Sequence, residues 1–441
     1  MTLRISVVGT GYLGAVHAVG MAELGHDVVG IDVDLAKISA LSKGVAPYYE
    51  RDLDDLLHRQ VSAGRLRFST DMADAAGAAG ADVHFLCVGT PQRRDGLAAD
   101  VSFLEAAVEA LAPLLERPCL VVGKSTVPVG TAERLAARIA ELAPAGAGAE
   151  LAWNPEFLRE GFAVEDTLHP DRLVFGVRSR QSEDVLRQVY EASITGGTPV
   201  VVTDFPTAEL VKVSANAFLA TKISFINAIA EICEVTGADV TKVADAIGHD
   251  SRIGRRFLNA GVGFGGGCLP KDIRAFMARA GEIGAAHALA FLAEVDAINL
   301  RRRDRVAEIA RELMGGSVTG RRVAVLGAAF KPESDDVRDS PALTVAGQLQ
   351  LQGAQITVYD PKATETARLR FPTLTYADTA MDACRDADVV LHLTEWREFR
   401  DLDPDKVGAV VAARNIIDGR NCLDADAWRA AGWTYRGLGR P

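Results

Sequence analysis

Two hydrophobic periods alternate along the chain. RISVVG (4–9) is a short apolar run that stops at glycine, YLGAVHAVGMAELG (12–25) repeats its apolar positions at helical spacing, and HDVVGIDVD (26–34) is again strand-like. Strand, helix, strand in this order predicts a βαβ unit, and the right-handed crossover makes the two strands parallel. ADVHFLCVGTP (81–91) and CLVVGKSTVPVG (119–130) continue the theme, each ending in Gly, Thr, Ser or Pro where a buried strand emerges at its carboxyl end. Residues 1 to about 200 therefore read as a doubly wound α/β domain.

The pattern changes in TAELVKVSANAFLATKISFINAIAEICEVTG (207–237), a long apolar-periodic stretch with Asp204 and Pro206 as start signals and Gly237 as a stop. Helical sequence continues through AHALAFLAEVDAINLRRRDRVAEIARELMGG (286–316). After Gly320 the first theme returns: RRVAVLGAAF parallels RISVVGTGY, AQITVYDP parallels HDVVGIDVD, and DADVVLHLTEW parallels GADVHFLCVGT. The second copy has GAAF where the first has GTGYLG, so the two copies have different jobs. The expected architecture is two doubly wound α/β domains, 1–203 and 301–441, joined by a long central helix and a helical middle, 204–300.

Composition narrows the function. A chain of 441 residues is long enough for two or three cores, and 48% hydrophobic with 24% charged residues is ordinary for a soluble globular protein. A formal charge of −11 disfavours nucleic acid and anionic membrane as partners. No apolar run is long enough to cross a bilayer, and the opening MTLRISVVGTG lacks an export signal. Cys87, Cys119, Cys233, Cys268, Cys384 and Cys422 are scattered, with neither a CxxC pair nor metal-ligand spacing; a reducing cytoplasm and no metal are expected.

Gly9-Thr10-Gly11-Tyr12-Leu13-Gly14 is GxGxxG, a weak signal alone. Here it follows a strand, opens a helix and precedes Asp32 at the end of the next strand. Gly9 makes the turn, Gly11 lets backbone approach a pyrophosphate, and Gly14 packs helix on strand; Asp32 accepts ribose hydroxyls and repels a 2′-phosphate, which favours NAD over NADP.

GVGFGGGCLPKD (261–272) is the second candidate. A lone cysteine is ordinarily a small buried hydrophobe, and that reading fits the other five. Pro270 suits a first helical turn, so Cys268 sits just ahead of a helix amino terminus with Lys271 nearby, and both stabilise a thiolate. On these residues alone, nucleophile and filler are evenly balanced. Lys212 and Asn216, four apart on the long helix, share a face among apolar neighbours, as a snorkelling lysine or as a substrate contact. WNPEFLREG (153–161) sets Glu156 and Glu160 around Arg159, either a solvated turn or a base with a substrate clamp.

Taken together, VVGTGYLG, VGTPQRRDG, KSTVPVG, NPEFLREG, LVKVSANAFLATKISFIN, DSRIGRRFLNAGVGFGGGCLPKD, GAAFKPESDDVRDSPA and IIDGRN resemble the UDP-glucose 6-dehydrogenase family, within the wider UDP-glucose/GDP-mannose dehydrogenase superfamily. The resemblance runs essentially end to end. It implies an NAD-binding Rossmann domain (1–203), a helical dimerisation domain (204–300) and a Rossmann-like domain for the UDP end (301–441). It also implies oxidation of a nucleotide sugar's C6 hydroxymethyl to a carboxylate with two NAD molecules, through a cysteine thiohemiacetal and thioester.

Carried over by residue, Cys268 becomes the nucleophile, with Lys212, Asn216 and Asp272 around the reacting oxygens, Glu156 assisting thioester hydrolysis and Thr126 positioning water. NAD would meet Gly9, Gly11, Tyr12, Leu13, Asp32, Lys37, Thr90, Thr126, Glu160 and Arg338. The sugar nucleotide would meet Phe157, Leu158, Arg159, Glu160, Lys212, Asn216, Asn259, Gly263, Phe264, Gly265, Phe330, Lys331 and Arg420, with Arg252 reaching a partner subunit's site in a homodimer or higher homo-oligomer. Two positions depart from the family pattern: Gly267 stands where Ser is common, expected to remove a hydroxyl and loosen the loop, and Ala228 stands where Glu is common. The alternatives are a GDP-mannose or UDP-N-acetylhexosamine dehydrogenase, a two-electron β-hydroxyacid dehydrogenase, and a non-catalytic NAD-binding scaffold.

Overall fold

The computed structural model describes residues 2–76 and 80–441. By internal packing the chain forms two units, one of residues up to Ala215 with Arg274–Ile283, the other of Asn216–Ile273 with Gly284–Pro441.

In the first unit, β1 (Arg4–Val8), β2 (Asp27–Ile31), β3 (Leu66–Ser69), β4 (Val83–Leu86), β5 (Cys119–Gly123), β6 (Ala149–Trp153), β7 (Leu173–Gly176) and β8 (Val200–Thr203) form one sheet ordered β3-β2-β1-β4-β5-β6-β7-β8. Neighbours are parallel, except that β6 and β7 meet antiparallel where Trp153 faces Gly176. Both faces of the inner strands are covered, which is why β1, β2, β4 and β5 read as near-continuous apolar runs. Successive side chains alternate between two cores: Val7, Phe85 and Val122 pack with Ala15, Val19 and Met21 of helix Tyr12–Glu23, while Val8, Leu86 and Val121 pack with Leu104, Val108, Leu135 and Ile139. Strand order reverses between β1 and β4, the switch point at whose carboxyl ends sheets of this kind bind ligands.

The second unit repeats the theme. β9 (Arg322–Leu326), β10 (Gln355–Tyr359), β11 (Thr375–Tyr376), β12 (Val389–His392), β13 (Asn415–Asp418) and β14 (Thr434–Gly437) form an all-parallel sheet ordered β11-β10-β9-β12-β13-β14. The first six strands of the larger sheet have the same order, so the duplication read from the sequence is present in the topology. After β9, however, no helix opens on the glycine turn. The amides of Ala328 and Ala329 donate instead to the buried Asp360 carboxylate, at 2.8 and 3.0 Å, and the next helix begins only at Pro341. An internal acceptor thus takes the donors that a phosphate would need.

The long helix spans Phe205–Thr236; Asp204 accepts from the Thr207 amide at 2.8 Å to cap it, and Gly237, at φ +76°, ends it. Its residues to Ala215 belong to the first unit and those from Asn216 to the second. Helices Val240–Gly248 and Phe291–Leu313 lie in the second unit. Among the described residues, no helix is long and apolar enough to cross a membrane.

Candidate functional site

The glycine turn lies at the first unit's switch point, between the ends of β1 and β4. Gly9 has φ +89°, and a Cβ there would press on Val88 just past β4; a Cβ on Gly14 would collide with the Gly9 carbonyl. Both glycines are required by the protein's own packing. Gly11 is different, since a Cβ there would meet nothing within 4 Å, so its lack of a side chain leaves an open approach to the backbone at the start of helix Tyr12–Glu23. That approach, at a helix amino terminus, suits a dinucleotide's pyrophosphate.

Asp32 follows β2 and is oriented by the Thr10 amide at 2.8 Å, the Asp34 amide at 3.1 Å and the Lys37 ammonium at 2.8 Å. Burial pushes the Asp32 pKa up, but Lys37 and the amides outweigh it and hold the carboxyl below its usual range. It is an ionised acceptor, suited to hydroxyls and hostile to phosphate. On the neighbouring loops, the Thr90 hydroxyl donates to the Thr126 carbonyl at 2.7 Å and so ties two expected NAD contacts together.

The same unit carries Glu156 and Lys212. The lysine does not snorkel: it is 5% exposed, and its ammonium lies 3.0 Å from Glu156 and 5.5 Å from the Phe157 ring centroid. The other Glu156 oxygen accepts from the Leu158 amide at 2.6 Å. A buried pair of this kind fixes the two side chains in one geometry. Arg159, by contrast, turns to Asp166 with Nε–O distances of 2.9 and 3.2 Å, and Glu160 is half-buried.

Lys124, which the sequence reading missed, lies near this pair. It is 6% exposed, its ammonium bonds Asn154 and the Tyr190 hydroxyl at 3.2 and 3.3 Å, and burial lowers its pKa to about 8. With Glu156, Phe157 and Arg172 it lines a cavity of about 40 Å³. The available signal was a lysine ending the buried run CLVVGK.

In the second unit, Cys268 immediately precedes helix Leu269–Glu282, and its carbonyl accepts the helix's early bond from the Asp272 amide at 2.9 Å. It is exposed, whereas Cys87, Cys233 and Cys384 are buried and Cys119 and Cys422 are half-buried. Burial pushes Cys87 and Cys384 up to about 12 and Cys119 to about 11, and also raises Cys233 and Cys422, so these five stay thiols. The Asp272 carboxylate is 2% exposed and accepts from the Asn216 amide and the Lys271 ammonium, each at 2.6 Å.

The sequence suggested a lost hydroxyl and a looser loop at Gly267; the structure puts a neighbour against the missing side chain. The volume a Cβ would occupy is filled by the Arg338 guanidinium, which ion-pairs with Asp336 at 2.7 Å, and the Arg338 carbonyl accepts from the Gly266 amide at 2.8 Å. A cationic plane has replaced the side chain. Arg420 is similarly committed: its guanidinium donates to the carbonyls of Leu393, Gly263 and Phe330 at 2.7, 3.0 and 3.0 Å and pairs with Glu395. It ties its own loop to those of Gly263 and Phe330, both of which hold expected sugar-nucleotide contacts, and to the loop after β12. Phe264 is buried, its amide fixed by Asn299 at 2.7 Å, while the Lys331 ammonium stands 5.5 Å from the Phe330 ring. Asn259 and Arg252 are exposed, the first bonded to Arg255 and the second to Asp250.

A glycine turn open to a pyrophosphate, with an ionised carboxylate beyond the next strand, is the equipment of an NAD-binding protein. The chain belongs to the UDP-glucose/GDP-mannose dehydrogenase family, whose NAD-binding-domain model matches residues 3–194, central-domain model residues 206–301 and UDP-binding-domain model residues 324–425. It is 42% identical over 441 residues to UDP-glucose 6-dehydrogenase of Rhizobium meliloti, covering 100% of both chains. Among solved structures it is similar to a UDP-glucose dehydrogenase of the hyperthermophilic archaeon Pyrobaculum islandicum (TM-score 0.91, 38% identity, 100% and 98% of the two chains). It is also similar to a UDP-D-ManNAc dehydrogenase of Pyrococcus horikoshii (TM-score 0.86, 28% identity, 99% of each).

Proposed function

We propose that this chain oxidises the C6 hydroxymethyl of UDP-glucose to the carboxylate of UDP-glucuronate, with two NAD+ reduced per sugar. The observation that carries the reading is the exposed thiol of Cys268 at a helix start, beside the buried Asn216–Asp272 pair, in a chain whose other cysteines burial keeps protonated. Full-length identity to a UDP-glucose 6-dehydrogenase favours UDP-glucose over an N-acetylated sugar, to whose dehydrogenase the likeness is weaker.

Bound NAD+ supplies the hydride acceptor for both oxidations. The chain's residues do the rest. Lys212 stabilises the alkoxide as C6 becomes an aldehyde. The Cys268 thiolate adds to that aldehyde; the thiohemiacetal loses the second hydride and a proton to become a thioester. Water held by Glu156 and Thr126 attacks the thioester, expelling the thiolate, with Asp272 and Asn216 orienting the reacting oxygens. The first 203 residues serve NAD, the last segment from 301 serves the UDP end, and the helical middle, 204–300, serves assembly while carrying Lys212, Asn216, Cys268 and Asp272.

Spectrophotometry with limiting sugar tests the reaction. Two NADH per UDP-glucose are expected, with GDP-mannose and UDP-N-acetylhexosamines turned over at least tenfold less efficiently. One NADH per sugar would indicate a two-electron dehydrogenase; none with any sugar would indicate a scaffold.

The assembly we infer is a homodimer. Phe218, Phe225 and Ile232 stand seven residues apart on helix Phe205–Thr236 and are 67%, 51% and 60% exposed. Such spacing draws one apolar stripe along a helix, suited to a second copy. Phe225→Asp is expected to halve the mass measured by light scattering. Six scattered cysteines without a CxxC pair suit residence in a reducing cytoplasm.

A further inference from the structure

Glu50 lies in the first unit, 6% exposed, on the chain leading into helix Leu53–Ser62. A buried carboxylate needs donors, and three converge on it. The Tyr12 hydroxyl and the Gly161 amide share Oε2, the amide at 2.5 Å, while the Ala163 amide donates to Oε1 at 2.8 Å. The Gly161 amide also reaches the Tyr12 hydroxyl at 3.3 Å.

The donors come from two separate pieces of the proposed machinery. Tyr12 is the fourth residue of the glycine fingerprint and the first of helix Tyr12–Glu23. Gly161 closes NPEFLREG, the segment of Glu156, and Ala163 begins the short helix after it. Burial and the Glu50 carboxylate both raise the Tyr12 pKa, so the phenol stays protonated and donates. The Tyr12 ring is braced edge-on by Tyr48, with centroids 5.2 Å apart.

We propose that Glu50 is a positioning residue that couples occupancy of the glycine turn to the order of segment 155–163. A dinucleotide that fixes the backbone at Gly11 and Tyr12 fixes the phenol, and through Glu50 the amides of Gly161 and Ala163. The segment bearing Glu156 is then held before the sugar arrives, and by reciprocity a sugar that orders it tightens NAD+ binding. The assignment of this segment to the sugar rests on the proposed function; the mechanical link does not.

Hydrogen exchange of the full-length chain with and without saturating NAD+, read by mass spectrometry, tests the link. In the native chain NAD+ is expected to slow exchange about threefold or more in both 9–16 and 155–163. In Tyr12→Phe, whose NAD+ saturation is set by fluorescence titration, slowing persists in 9–16 and falls by about twofold or more in 155–163, where the expected direct NAD contact at Glu160 accounts for the remainder. Glu50→Gln, if it folds, shows the same fall, and the double variant adds nothing further. Equal slowing of 155–163 in Tyr12→Phe and the native chain, or none in the native chain, would overturn the proposal. Because the probe is NAD+ alone, a chain that turns over no sugar yet transmits protection would refute the proposed reaction and leave the coupling standing.

Discussion

Cys268→Ser protein will form UDP-glucuronate at least about a thousandfold more slowly than the native chain, with an unchanged melting temperature. The side chain is exposed and serine is nearly isosteric, so packing loses almost nothing. Chemistry loses a great deal. A hydroxyl ahead of helix Leu269–Glu282 gains the same dipole as the thiol, but its pKa starts so far above neutrality that an alkoxide stays negligible, and an ester leaves more slowly than a thioester. No other cysteine can substitute, since burial raises all five. The measurement is NADH formed together with acid separated by chromatography. Acid at a near-native rate would remove Cys268 from the nucleophile's role.

How much of this was legible beforehand depended on whether the signal was local. The βαβ pattern, the glycine turn and both ends of the long helix could be read because strand, turn and cap residues are neighbours in sequence. The direction of β7 could not: a short buried run such as LVFG looks the same whether its partner is parallel or antiparallel, and Trp153 against Gly176 is a non-local pairing. The silence of the second glycine turn was visible as GAAF, but its cause, the Asp360 carboxylate occupying the amides, required the fold.

The site divided in the same way. Cys268 could be suspected from Pro270 and Lys271, whereas the partner that takes Lys212 out of the snorkelling class is Glu156, distant in sequence on a loop after β6. At Gly267 a sequence displays the missing side chain and not the Arg338 guanidinium that fills its place. Lys124 and Glu50 escaped because each is an ordinary polar residue until its burial is known.

Lys212→Met is expected to damage stability and catalysis together, and a second substitution should separate the two. Removing the ammonium leaves the Glu156 carboxylate, whose side chain is only 12% exposed, facing an apolar chain in place of a cation 3.0 Å away. Breaking a buried pair from one side costs about 3 kcal/mol, visible as a lower denaturant midpoint. The rate should fall by about a hundredfold or more through loss of the charge that stabilises the developing alkoxide. In Lys212→Met/Glu156→Gln the isolated charge is gone, so the midpoint should return most of the way. The rate should not return, because neither the oxyanion partner nor the carboxylate that holds water has been restored. A double variant that regained activity with stability would mean that Lys212 serves only to hold Glu156 in place, and the stabilisation of charge at C6 would have to come from another group.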